Sequence, residues 1–214
     1  RRGMMATPSA TAHALARTAP DQDRPMVKIQ IQHLSGADRY ARTKGAGLDL
    51  FPGFTVGLFQ LRPESTGSIE LASADPLAHP RIRPSYLSAP QDLVVLREGV
   101  KRLREIFRQP AFNAWRGVEL APGPTVQSDA DIEAWIRATA DTVYHPTSSC
   151  RMGGTADPLA VLDNQCRVRG VAGLRVVDAG VRPVITSGNT NSPTLMVAEK
   201  AAQWIVEDAL ASQG

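Results

Sequence analysis

At 214 residues the chain is long enough for one full domain, or for one domain plus part of another, and it can bury a sizeable core. Hydrophobic residues at 43% and charged residues at 21% are ordinary for a soluble protein, and no apolar run approaches the roughly 20 residues of a membrane span. The 24 basic and 21 acidic residues, net +3, are spread along the chain without the clustering that a nucleic-acid surface needs, so no nucleic acid is expected as a partner.

The first twenty residues, RRGMMATPSATAHALARTAP, hold three arginines and no acid before Asp21. A mitochondrial presequence has that composition; a chain cut from a longer protein would also begin on Arg1. In MVKIQIQ (26–32), Val27, Ile29 and Ile31 alternate with Lys28, Gln30 and Gln32, which predicts a strand with one core face and one polar face. FTVGLFQLR (54–62) and GSIELAS (67–73) are strand-like runs parted by the turn-forming PEST, so an antiparallel pair is expected. Pro90 then opens a helical pattern in which Leu93, Leu96, Val100, Leu103 and Phe107 recur at three- and four-residue intervals. A second helix begins after Ser128, a plausible N-cap, and carries Ile132, Trp135 and Ile136 as one apolar stripe. GLRVVDAG (173–180) reads as a short buried strand, and Pro193 as the start of a third helix running through TLMVAEKAAQWIVEDAL. Strands followed by helices predict an α+β fold, an antiparallel sheet with helices, closed by a strand-loop-helix unit.

The chemistry-bearing residues gather late in the chain. His145 sits between Tyr144 and Pro146 in YHPTSSCRMGG (144–154), a hydroxyl-rich segment, and histidine is the side chain best suited to exchange a proton near neutral pH. Alone it could equally be a structural or solvated loop residue, and the asparagines of SGNTNSPT (187–194) could be turn formers. A serine-hydrolase reading of Ser148 or Ser149 lacks a GxSxG elbow and an indicated acid. Cys150 and Cys166 lack the spacing of a zinc site or a disulfide framework, so no metal is expected and a reducing, cytoplasmic compartment fits.

The combination is more specific than its parts. YHPTSSCRMGG, then VLDNQCRVRGVAGLRVVDAGVRP, then SGNTNSPTLMVAEKAAQWI resembles, in order and spacing, the C-terminal region of the glucose-methanol-choline (GMC) family of FAD-dependent oxidoreductases. RPESTGSIELASADPLAHPRIRPSYLSAPQDL (62–93) is similar to that family's substrate domain. The resemblance implies His145 as the active-site base and Asn189 as its partner, the His/Asn branch that includes choline-oxidising enzymes. It implies Asp178 accepting from a ribitol hydroxyl, Ala179 N–H reaching the pyrophosphate, and the backbone donors of Thr190 and Asn191 facing the pyrimidine end of FAD. Tyr144 beside the base, with Gln30, Gln32 and Gln60 on the strands, would contact substrate.

The dinucleotide fingerprint GxGxxG on a strand-helix turn is absent. The expectation is therefore the C-terminal portion of an alcohol oxidoreductase, with residues 1–143 a partial substrate-binding domain and 144–214 the active-site segment plus closing elements of an α/β FAD-binding domain. Its partners would be an N-terminal FAD-binding segment of the same enzyme and a small-molecule alcohol. A hydroxynitrile lyase of the same family and a non-catalytic fragment are the alternatives.

Overall fold

In the computed structural model of the chain, residues 10–36 and 49–212 are described. They fall into two units, one of Arg1–Ser65 and Tyr86–Asp141, the other of Thr66–Ser85 and Thr142–Gly214.

The first unit is a three-stranded antiparallel meander covered by two helices. Strand β1 (Ala10–Ala16) pairs with β2 (Val27–Gln32), which pairs with β3 (Thr55–Gln60). Residues directly opposite in an antiparallel ladder share a face. The pairs Val27–Gln60 and Ile29–Leu58 therefore lie on one side, and Lys28–Phe59 and Gln30–Gly57 on the other. Val27 and Ile29 are buried, as the alternation predicts, while Ile31 is only half-buried. Part of the basic N-terminal stretch is β1, whose small side chains carry too weak a strand signal to be read from sequence.

Helix α1 (Pro90–Phe107) packs on β2 and β3, and α2 (Asp129–Thr139) packs on α1. Proline occupies the first turn of α1, where its missing N–H costs nothing. Leu93, Val100, Ile132 and Ile136 form the core, with Leu58, Leu87, Leu96, Val126 and Trp135 against it. Ser128 caps α2 as expected and completes a capping box with Asp131. Arg97 reaches Glu133 at 2.6 Å and Lys101 reaches Asp129 at 2.6 Å, so charge lines the exposed seam between the helices. Gly99 of α1 rides directly over Leu58 of β3: a Cβ there would stand 2.7 Å from Leu58 Cδ2.

The run 54–62 does not pair with 67–73, contrary to the hairpin reading. β3 uses β2, and β4 (Ser68–Glu70) pairs instead with β5 (Arg81–Arg83) as an exposed two-stranded ribbon. The reason is Asp92, 1% exposed in the first turn of α1. Its carboxylate accepts from Glu64 N at 2.8 Å, Ser65 N at 2.9 Å and Gln60 Nε2 at 2.8 Å, while Ser65 Oγ accepts from Ala89 N. The PEST turn is thus pinned to the helix N-terminus and cannot fold back onto β3.

The second unit holds the β4–β5 ribbon, a loop-rich stretch and helix α3 (Asn191–Ala211). Leu162, Cys166, Val181 and Ala201 are its buried centre, with Met152, Val176, Val197 and Trp204 packed around them. Residues 173–180 form no named strand, contrary to expectation. Arg175 makes a single bridge to Arg167, and Val168 N and Val176 N bond across the 166–174 turn, too few bonds for a ladder. Helix α3 starts two residues before Pro193, which fits inside the first turn. Among the described residues no helix is long and apolar enough to cross a membrane.

Asp92 makes the first unit testable. Burial alone would push its carboxyl up, but the donors from Glu64, Ser65 and Gln60 outweigh that and hold it below its ordinary 3.8. Asp92→Ala should destabilise the full-length protein by roughly 3–5 kcal/mol, since it strands several buried donors, and Asp92→Asn by less. Because the folded value is depressed, the carboxylate's contribution is present above that ordinary value and lost as pH falls through the folded one. In urea titrations the gap between parent and Asp92→Asn should be widest near neutral pH and close in acid; equal midpoints at neutral pH would dismiss the hub.

Candidate functional site

His145 and Asn189 arrive from segments 44 positions apart, and both lie in the second unit. His145 follows Tyr144, whose φ is 60°, and precedes Ser148, whose φ is 69°. Left-handed backbone at non-glycine residues costs on the order of 1 kcal/mol each and persists only where the surroundings impose it. Here the Thr142 hydroxyl accepts from Tyr144 N at 3.0 Å on one side. On the other, Cys150 N donates to the Gly180 carbonyl at 3.1 Å and Met152 N to the Val181 carbonyl at 2.8 Å.

The 178–181 segment that receives those bonds is a single 3-10 turn, Ala179–Val181, capped by Asp178 Oδ1 accepting from Gly180 N at 2.6 Å. Val181 is 1% exposed and anchors the turn in the core. Eight residues on, Asn189 stands just before Thr190, the N-cap of α3. The outcome is that Asn189 Nδ2 lies 3.5 Å from His145 Nε2, the outer edge of hydrogen-bond range. With the amide as donor, Nε2 carries the ring's lone pair.

This arrangement can do one thing well. It sets a basic imidazole nitrogen and an amide donor side by side, so that an oxygen-bound proton presented to the pair meets both an acceptor for the proton and a donor for the oxygen. His145 is partly exposed and Tyr144 about half exposed. No group of three or more His, Cys, Asp or Glu among the described residues is placed to hold a metal.

Of the other residues singled out from sequence, Asp178 is exposed and keeps its backbone cap. Thr190 makes no side-chain cap on α3, so the first backbone donors of a 21-residue helix meet no protein oxygen from that residue. Asn191 is exposed beside them. Uncapped N–H groups at a helix N-terminus with an exposed carboxylate before them suit a dinucleotide, which needs donors for its phosphates or ring oxygens and an acceptor for a sugar hydroxyl.

Gln30, Gln32 and Gln60 belong to the first unit, and they do not share a face. Gln30 and Gln32 are half-buried on the side away from Val27, whereas Gln60 is on the core side with its amide on Asp92. A strand read without its partner register treats the polar residues of neighbouring strands as one wall, and here the register separates them. Arg182, which the sequence reading passed over, donates from Nη2 to the Thr190 carbonyl and to Thr194 Oγ1 at the start of α3; a basic residue between Val181 and Pro183 was its one sequence signal.

Comparison with known proteins gives the family. Residues 63–198 match the family described as GMC oxidoreductase. The chain is 42% identical over 206 residues to an oxygen-dependent choline dehydrogenase of Vibrio vulnificus, covering 96% of this chain and 36% of that protein. It is 50% identical over 152 residues to the mitochondrial choline dehydrogenase of Homo sapiens, covering 71% and 26%. In three dimensions it resembles the crystal structure of pyridoxine 4-oxidase from Mesorbium loti with a TM-score of 0.76 at 25% identity, covering 92% of this chain and 38% of that one. The chain therefore spans about a third of the length of the relatives it matches. On the matched sequence and the shared fold together, the chain belongs to the GMC oxidoreductase family.

Proposed function

We propose that the protein containing this chain oxidises an alcohol to a carbonyl compound, with FAD as its redox cofactor. The observation that carries the reading is the approach of Asn189 Nδ2 to His145 Nε2. Dehydrogenating an alcohol requires the hydroxyl proton to leave while a hydride leaves carbon. His145 Nε2 accepts the proton, and Asn189, which has no proton to relay, donates to the substrate oxygen and fixes the carbon's direction. Tyr144, the residue before the base, would contact substrate. FAD, when bound, supplies the two-electron acceptor for the hydride. Asp178, the Ala179 N–H and the α3 donors at Thr190 and Asn191 would hold it.

The remainder of the cofactor site belongs to an N-terminal segment of the same protein, the partner to which this chain's residues point. In support, Leu195, Met196, Val206 and Leu210 of α3 are each more than half exposed, an apolar display that a packed neighbour would cover. Gln60 is committed to Asp92 within its own unit. The names of two relatives put choline first among alcohols to try. None of the relatives reported above bears a lyase's name, and the hydroxynitrile lyase reading is not carried forward.

In the full-length enzyme, anaerobic mixing with a substrate alcohol should bleach the flavin's visible absorbance. His145→Ala should slow that reduction by ~100-fold or more with FAD still bound; reduction at the parent's rate would take His145 out of the mechanism. Asn189→Ala should slow it on the order of 100-fold, through lost positioning and a lost donor to oxygen. Asn189→His, which restores a polar partner, should keep measurable turnover. An Asn189→Ala enzyme as fast as the parent would remove the orienting role.

A further inference from the structure

We infer that Arg182 is a positioning residue that sets the spacing of His145 and Asn189; this rests on the alcohol-oxidising reading above. Arg182 is 5% exposed, and no carboxylate among the described residues pairs with it. Nη2 donates to the Thr190 carbonyl at 2.9 Å and to Thr194 Oγ1 at 2.6 Å. Thr194 Oγ1 donates its own proton to the same carbonyl at 2.6 Å, and Thr194 N bonds that carbonyl at 3.1 Å. The first turn of α3, and with it the residue just before Thr190, is cinched onto one side chain.

The backbone of that side chain is fixed elsewhere. Arg182 directly follows Gly180 and Val181, whose carbonyls receive Cys150 N and Met152 N from the strand-like stretch that leaves the His145 loop. One residue thus bonds through its chain neighbours to the loop of the base and through its side chain to the loop of the amide. Nη1 is buried with no acceptor among the described residues. A buried cation left half-satisfied costs free energy. Methionine would fill the same length at no such cost, so packing alone does not account for an arginine here.

The mechanism has a consequence that packing would not produce. Loosening the tie moves Asn189 relative to Nε2, which lowers the rate of the chemical step while leaving the cofactor and the fold in place. Thr194 is the other half of the tie, so its loss should reproduce the effect, and losing both should add little to losing either.

The test uses the full-length, FAD-loaded enzyme and follows FAD content, the limiting rate of anaerobic flavin reduction, KM, and amide hydrogen exchange over 144–149 and 189–194. Arg182→Met should lower the limiting rate ~10-fold with parent-like FAD content and little change in KM, since small misplacements of positioned groups cost rate. Exchange should rise in both segments. Arg182→Lys, which can donate to both oxygens, should recover most of the rate, and Arg182→Met combined with Thr194→Val should be no slower than the slower single variant. A parent-like limiting rate in Arg182→Met, or a rate loss that merely tracks lost FAD, overturns the inference. Should Arg182→Met not fold, Thr194→Val decides: a parent-like rate there overturns it equally. His145→Ala separates the two readings. If it is as fast as the parent, the proton-transfer reading fails; if it is slow while Arg182→Met is not, only the role of Arg182 fails.

Discussion

Cys150 N–H donates to the Gly180 carbonyl and Met152 N–H to the Val181 carbonyl, and the approach of Asn189 to His145 depends on this pair of main-chain bonds. They register the stretch leaving the His145 loop against the turn that leads to Asn189. Without them the two polar residues would sit on independent loops 44 positions apart in sequence. The bonds are protected because Val181 and Leu162 beside them are essentially inaccessible to water. A main-chain bond out of solvent faces no competition from water and keeps its geometry through side-chain change. Loops constrained in this way hold side chains in fixed relation, here Asn189 and His145 at 3.5 Å.

The two units solve different problems with different means. In the first, regular elements do the work: a meander, two helices, and a core in which Leu93 and Val100 of one helix meet Ile132 and Ile136 of the other. Its buried charge, Asp92, is satisfied by donors from a turn and from β3, so a connection that looks free in sequence is as fixed as the helix it touches. In the second, between the ribbon and α3, order comes from single bridges, caps and left-handed residues.

Much of this was legible from residues alone where the signal is local. The helical stripes of α1 and α2, the Ser128 cap and the alternation of β2 depend on a few neighbouring positions, and they stand as read. The pairing of His145 with Asn189 came from the resemblance, since nothing local links segments so far apart. Pairing choices failed where a distant group decided them: β3 chose β2 because Asp92 held the PEST turn, and no pattern within 54–73 records Asp92. Gln60 parted from Gln30 and Gln32 for the same reason, its face being set by register. Arg182 was invisible because its bonds run to a carbonyl and a hydroxyl, partners that leave no charge pattern in the sequence.

Gly99 gives the first unit a history-dependent mutability. A glycine inside a helix forgoes about 1 kcal/mol relative to alanine, and here the space a methyl group would need is filled by Leu58. Volume is thus shared between a helix position and a strand position 41 residues earlier. Adding carbon at 99 first meets a collision, whereas trimming 58 first leaves a void that the later addition fills, with the helix gaining propensity on the way. The same two substitutions are consequently reachable in one order far more readily than in the other, so sequences in which one position has grown should be sequences in which the other had already shrunk.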